Sequence, residues 1–125
     1  MAILQGLGTA FTPILRRAVE RVPGAFGAIF ADADGEAVDQ VSLQKIDDMK
    51  VVGAHYGIIL HHVQSVLHLF HFGEAEEIVL LHDDMDLLVH AVRDGYFLLL
   101  AAKTVHLGSA LREVRDAALK LAQNM

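Results

Sequence analysis

The histidines are the first candidates for chemistry in this chain, because a neutral imidazole can ligate a transition metal and titrates near neutral pH. There are eight of them, and His55, His61, His62, His68 and His71 fall in one segment. On a helix, His55 and His62 lie two turns apart, as do His61 and His68. Two turns is about 10.5 Å of rise, too far for one ion to be shared. Only His68 and His71 have chelating spacing, and no cysteine or well-placed carboxylate of that segment completes a set. The histidines therefore read as exposed or interface residues, and no metal is expected. Across a two-fold axis, His55 and His62 would approach their own copies, which would make association sensitive to pH.

The remaining constellations carry no stronger signal. Asp32, Asp34 and Gly35 imitate the start of a calcium loop, but the downstream ligands ending in a bidentate Glu are absent, so a tight turn is the better reading. Asp83, Asp84 and Asp86 form an acidic corner suited to a solvated turn. Gly6-Leu7-Gly8 lacks both the preceding strand and the Lys-Ser/Thr ending of a phosphate loop. Ser42, Ser65 and Ser109 sit in no nucleophile elbow. Cysteine is absent, which removes thiolate chemistry and disulfides. No acid and base pair remains, so the chain reads as noncatalytic and without a cofactor.

Composition bounds the class of partner. The chain has 125 residues, 54% of them hydrophobic, which is the size and character of one compact domain. Its 10 Lys+Arg against 16 Asp+Glu give a net charge of -6, and the scattered basic residues argue against nucleic acid. No apolar run reaches the ~18 residues of a membrane span, and the first ten residues lack the basic start of a signal peptide. A cytoplasmic protein is expected.

The elements that would position these residues follow from periodicity. After an N-terminal segment over residues 1–11, one domain is expected over 12–125. Thr12-Pro13 looks like an N-cap with proline at the first helical position, and Ile14, Leu15, Ala18, Val19 and Val22 make a short amphipathic helix. The nearly unbroken apolar run Ala25 to Ala31 suits a strand covered on both faces, and Asp34-Gly35 turns it into a second strand from Glu36 to Ser42. A long helix runs from about Ile46 to Phe70, with Gly73 as its stop. Strands at Glu76 to His82, Asp86 to Val92 and Tyr96 to Lys103 are joined by Asp83-Asp84-Met85 and Asp94-Gly95. A last amphipathic helix carries Leu107, Ala110, Leu111, Val114, Ala117, Ala118 and Leu121 on one stripe. Helices layered on one antiparallel sheet, an α/β (α+β) arrangement, are expected.

The long helix is apolar around too much of its circumference for one sheet to cover. Met49, Val52, Tyr56, Ile59, Val63, Val66 and Phe70 form one stripe at spacings of three and four. Val51, Ile58 and Leu69 flank it on one side, and Gly53, Leu60 and Leu67 on the other. The arc spans roughly 220°, about twice that of a one-sided surface helix. Gly53 and Gly57 lie one turn apart, as small residues do where two helices approach closely. The apolar strand around Ile78, Val79 and Leu80 would be an aggregation-prone edge unless paired. A homodimer is therefore expected, with Gly53, Tyr56, Leu60, Val63, Leu67, Ile78, Val79 and Leu80 at its interface.

The hairpin around Asp32-Ala33-Asp34-Gly35, the long central helix, the meander from Ile78 to Ala101 and Val105-His106-Leu107-Gly108 before an Ala/Leu/Arg helix together resemble the roadblock/dynein light chain family. Its bacterial members include the MglB proteins. The resemblance covers about Thr12 to Gln123 and rests on the order and lengths of elements. It implies a roadblock-like, profilin-like sandwich: a five-stranded antiparallel sheet with the central helix on one face and the two terminal helices on the other. It also implies dimerisation with itself or a related roadblock protein, and binding or regulation of a Ras-like small GTPase. The sequence ends about where its last helix ends, without the extension used by some GTPase-activating members, so binding is expected ahead of activation. Lys50, Gly57, His61, Gln64 and His68, on the remainder of the central helix, are the expected partner face. A small-ligand sensor of the PAS or GAF type, which also sets helices on a five-stranded sheet, is the alternative. Against it stands the single long helix where a PAS domain has several short ones.

Overall fold

The computed structural model describes the backbone of residues 4–5, 8–43, 46–103 and 106–125, and the side chains of 8–43, 51–103 and 106–125. The side chains of Met49 and Lys50, and the residues Gly6, Leu7 and Val105, lie outside that set. In chain order the elements are β1 (Leu4–Gln5), α1 (Thr12–Arg21), β2 (Ala25–Ala31), β3 (Ala37–Ser42), α2 (Ile46–Leu69), β4 (Glu77–Leu81), β5 (Asp86–Ala91), β6 (Phe97–Ala102) and α3 (Leu107–Gln123). The five expected strands are all present. The addition is β1, which pairs antiparallel with β3 through Leu4↔Ser42 and Gln5↔Val41.

All the strands form one antiparallel sheet of order β1-β3-β2-β6-β5-β4. The two central strands, β2 and β6, bury both faces, as their unbroken apolar sequences require. Ala28, Phe30, Leu98, Leu100 and Ala102 point into a core shared with Leu15, Ala18 and Val19 of α1 and Val114, Ala118 and Leu121 of α3. Their neighbours Ile29, Ala31, Phe97, Leu99 and Ala101 point the other way, into a second core with Leu60 of α2. The period of two sends alternate side chains to opposite layers. The central helix thus covers one face and the terminal helices the other.

The turns take the form their residues dictate. Asp32 Oδ1 accepts from the backbone N–H of Asp34 at 2.9 Å and of Glu36 at 3.0 Å, so this carboxylate closes a turn. Asp94 and Gly95 both have positive φ, 53° and 81°, as a two-residue hairpin turn needs. Two helix ends differ from expectation. At the start of α1, Thr12 is the first helical residue, and its hydroxyl donates to the buried Asp39 of β3. Thr9 Oγ1 donates to the same carboxylate at 2.6 Å and accepts from Phe11 N–H at 3.1 Å. At the end of α2, His71 takes the left-handed conformation at φ 59°, and Phe72 N–H reaches back to Leu67 C=O at 2.9 Å. The helix closes there, two residues before Gly73.

Gln40 of β3 is fully buried, and among the described residues both its amide nitrogen and its amide oxygen lack a hydrogen-bond partner. An unmet amide in an apolar layer costs about 1–3 kcal/mol. Gln40→Leu or Gln40→Met should therefore stabilise the fold by about 1–2 kcal/mol, read as a higher urea midpoint at unchanged slope. A midpoint that falls instead would mean that the amide is satisfied in solution.

Candidate interaction surface

Two features meet on one side of the molecule: the apolar flanks of α2 and the open edge of the sheet at β4. Along α2, Gly53 and Gly57 lower the helix onto its own sheet. A Cβ at Gly53 would come within 2.6 Å of Ile29 Cδ1, and one at Gly57 within 3.0 Å of Gly35 Cα and 3.2 Å of the Phe97 ring. Leu60, 9% exposed, completes this inward face. Three expectations are corrected here. Gly53 and Leu60, expected at a dimer contact, and Gly57, expected on a partner face, all pack against the chain's own strands. Their small size and apolar character serve helix-on-sheet contact.

The stripe next to that face is half covered. Val52, Tyr56, Val63 and Leu67 are half-buried, while Ile59, Val66 and Phe70 are 42%, 54% and 59% exposed. Tyr56 tells which side of α2 this is, since its hydroxyl lies 3.4 Å from Nε2 of His82, the residue that follows β4. Val52, Tyr56, Ile59, Val63, Val66 and Phe70 succeed one another at spacings of four and three, so the stripe runs along the β4 side of the helix. Beyond it, on the outermost line, Val51, Ile58 and Leu69 are exposed. From Val51 to Gly73 there is no Asp, Glu, Lys or Arg. This line and the stripe beside it form an uncharged, apolar surface larger than scattered exposed residues would make.

The β4 edge continues that surface. Its partner on the inner side is β5, through Ile78↔Val89, Val79↔Leu88 and Leu80↔Leu87, and among the described residues the sheet order places no strand beyond it. Ile78 and Leu80 pack against the α2 core, and Ile78, Val79 and Leu80 are all half-buried, with Leu81 exposed. The edge is tied to α3 through Glu77, which receives both Nε and a terminal nitrogen of Arg115, at 2.9 and 2.8 Å. His90 stands 3.9 Å away on the neighbouring strand.

The other expected partner residues divide. Gln64 spends its amide on the backbone of Ala75, accepting at 2.8 Å and donating at 3.1 Å. His68 faces Glu74 at 3.6 Å. His61 is exposed and, with Gly57, Gln64, Glu74, His90 and Tyr96, lines a groove of about 700 Å³. Val51, Ile58 and Leu69 were legible as apolar flank residues, yet only the inward turn of the glycines shows that this flank faces out. Among the described residues, no group of three or more His, Cys, Asp or Glu is placed to hold a metal ion. None of their helices is long and apolar enough to cross a membrane.

Comparison of the sequence with protein-family models and with curated proteins returns no match. Solved structures do match. A roadblock/LC7 domain from Streptomyces avermitilis superposes with a TM-score of 0.81 at 18% identity, covering 89% of this chain and 93% of that one. The fold is that of the roadblock/LC7 domain. MglB from Myxococcus xanthus superposes with a TM-score of 0.84 at 13% identity, over 94% of this chain and 95% of that one. An MglB described as having a tetrameric arrangement gives 0.82 at 18%, over 98% and 96%. At these identities the likeness fixes the roadblock architecture and leaves individual site residues to be argued from this chain.

The Arg115 hydrogen bonds, assisted by the charges of Arg115 and His90 and opposed by partial burial, hold the Glu77 carboxyl below the ordinary glutamate range. A depressed carboxyl contributes stability above its unfolded value, near 4.5, and loses it as pH falls through the lower folded value. Glu77→Gln should therefore flatten the acid limb of stability, read as a smaller drop in urea midpoint between pH 6 and pH 3 than the wild type shows. An identical drop in both proteins would assign the acid sensitivity to other carboxylates.

Proposed function

We propose that this chain is a noncatalytic interaction module that dimerises through the β4 side of α2 and the β4 edge, and presents the outer line of α2 to a Ras-like small GTPase. The observation that carries the reading is the uncharged apolar surface of α2 lying beside an open apolar strand. A helical flank of 24 residues is about 36 Å long. With the β4 edge beneath it, the flank is of the order of the ~800 Å² that a standard interface takes from each partner. A second copy fits because the surface is self-complementary: β4 pairs antiparallel with its own copy, and two α2 helices then lie side by side about a two-fold axis. The roadblock architecture supports self-association, since one MglB is described with a tetrameric arrangement.

Once the β4 side of α2 is covered, Val51, Ile58 and Leu69 still face outward, with His55, His62 and Ser65 among them. That doubled line is the surface we assign to the GTPase, and a globular partner sitting across the axis would take two chains. The GTPase itself follows from the resemblance to roadblock proteins; a related roadblock chain is the other partner that resemblance implies.

Sedimentation tests the first part. The wild type should be dimeric at micromolar concentration. Ile59→Asp and Val66→Asp, at exposed positions, should remain folded by circular dichroism yet dissociate, with Kd raised about 100-fold or more by a charge stranded in an apolar contact. Leu60→Asp should unfold the chain instead. A monomeric wild type would overturn the dimer. For the second part, titration against a Ras-like GTPase of the same cell, loaded with a GTP analogue, should show two chains per GTPase. Binding should be weakened by Ile58→Arg in a protein that is still dimeric. Binding unaffected by Ile58→Arg would move the partner surface elsewhere.

A further inference from the structure

Between the middle of α2 and the turn that joins β5 to β6 lies the groove of about 700 Å³. The gap follows from side-chain size: Ala33, Gly57, Ala75, Ala91 and Gly95 line it, and none of them carries more than a methyl group. Its walls are preformed. Gln64 of α2 holds the backbone of Ala75 through both amide atoms, at 2.8 and 3.1 Å. Ala91 N–H donates to Glu76 C=O at 2.8 Å, and Tyr96 N–H to Arg93 C=O at 2.9 Å. Leu60 and Phe97 close the floor. The volume falls in the ~300–1,000 Å³ range of ligand sites, which pair an apolar body with a few polar groups.

Charge at the rim is one-sided. Counted without the histidines, Glu74, Glu76 and Asp94 stand against Arg93 alone, a surplus of two negative charges. Arg93 is already turned to Asp94 at 3.4 Å, and Glu74 to His68 at 3.6 Å. Glu76 is exposed, and among the described residues its carboxylate has no partner. The carboxylates do not converge on one point, since no group of three or more His, Cys, Asp or Glu among the described residues is placed to hold a metal ion. A cation suited to this rim is therefore an extended one, with its charges spaced along a chain and apolar atoms between them.

We infer that the groove binds a basic, extended segment of a partner protein, with an apolar side chain over Leu60 and Phe97 and Lys or Arg side chains at Glu76 and Asp94. The long stems of Lys and Arg lie along apolar surface while their charged ends reach a rim. Attraction of this kind speeds encounter and weakens as salt rises. None of the groove's residues belongs to the exposed lines of α2 assigned above to a second copy and a GTPase. The inference therefore stands without the dimer reading, and one chain could hold this segment and those partners together.

Fluorescence anisotropy of a labelled Arg-Leu-Arg-Leu-Arg peptide, titrated with the full chain at pH 7.5, tests it. We expect saturable binding that weakens with salt, and none for Glu-Leu-Glu-Leu-Glu. Glu76→Lys should raise Kd about fivefold or more. Asp83→Lys makes the same charge change in the β4–β5 turn, at the other end of the strands, and should alter Kd by less than about twofold. Ala91→Leu, folded by circular dichroism, should abolish binding by filling the groove. No saturable binding of the basic peptide, or undiminished binding by folded Ala91→Leu, would overturn the inference. Equal weakening by Glu76→Lys and Asp83→Lys would overturn it too, assigning the attraction to the net charge of -6; this pair decides the matter even where Ala91→Leu does not fold. A monomeric wild type that binds the peptide in the expected pattern would overturn the dimer and support the groove.

Discussion

A helix with apolar residues on three sides and no formal charge over 23 consecutive positions, Val51 to Gly73, cannot be finished by packing on one sheet. The sheet takes the face of Gly53, Gly57 and Leu60. What remains, Ile59, Val66 and Phe70 on one line and Val51, Ile58 and Leu69 on the next, stays exposed among the described residues. Burying such side chains is worth about 1.5–3 kcal/mol each. Leaving them in water forgoes that and invites indiscriminate association. The functional reading begins from this one unmet need.

The inner packing is specific because the outer surface is so permissive. Gly53 and Gly57 let the helix backbone descend onto Ile29, Gly35 and Phe97. Glycine costs about 1 kcal/mol in a helix interior, and the close contact with β2 and β6 offsets it. On the opposite face, the buried Asp39 collects Thr9 and Thr12 at the start of α1, where the helix dipole favours a carboxylate. Arg115 holds α3 to β4 through Glu77. Polar anchors thus fix the terminal helices, whereas α2 is seated on the sheet by shape, with the polar contacts of Tyr56 to His82 and Gln64 to Ala75 at its flanks.

Nearly every element was legible, because the strands alternate with a period of two between two differently populated cores and the helices repeat at three and four. What was not legible depends on contacts distant in sequence. The strand β1 has only two residues, and its partners, Val41 and Ser42, lie more than thirty residues on. The carboxylate that ties down the start of α1, Asp39, comes from β3, and no local pattern announces it. The rotation of α2 was ambiguous for a physical reason: when three sides of a helix are apolar, hydrophobicity gives no direction, and the glycines, which do mark the close side, fit a helix partner or a sheet equally well. His71 ended the helix ahead of Gly73 because histidine tolerates the left-handed region better than most side chains.

The two edges of the sheet are treated differently, and that difference limits what the module can build. On one side the two-residue β1 pairs with Val41 and Ser42 of β3, which shortens the free edge of that strand. On the other, β4 presents Ile78, Val79 and Leu80 with no strand on its outer side among the described residues. In the proposed dimer, pairing through β4 is isologous and closes at two copies, since each copy covers the β4 edge of the other. Any larger assembly of that proposed dimer would have to use a surface that the paired edges leave free, and the outer line of Val51, Ile58 and Leu69 on α2 is an exposed apolar one.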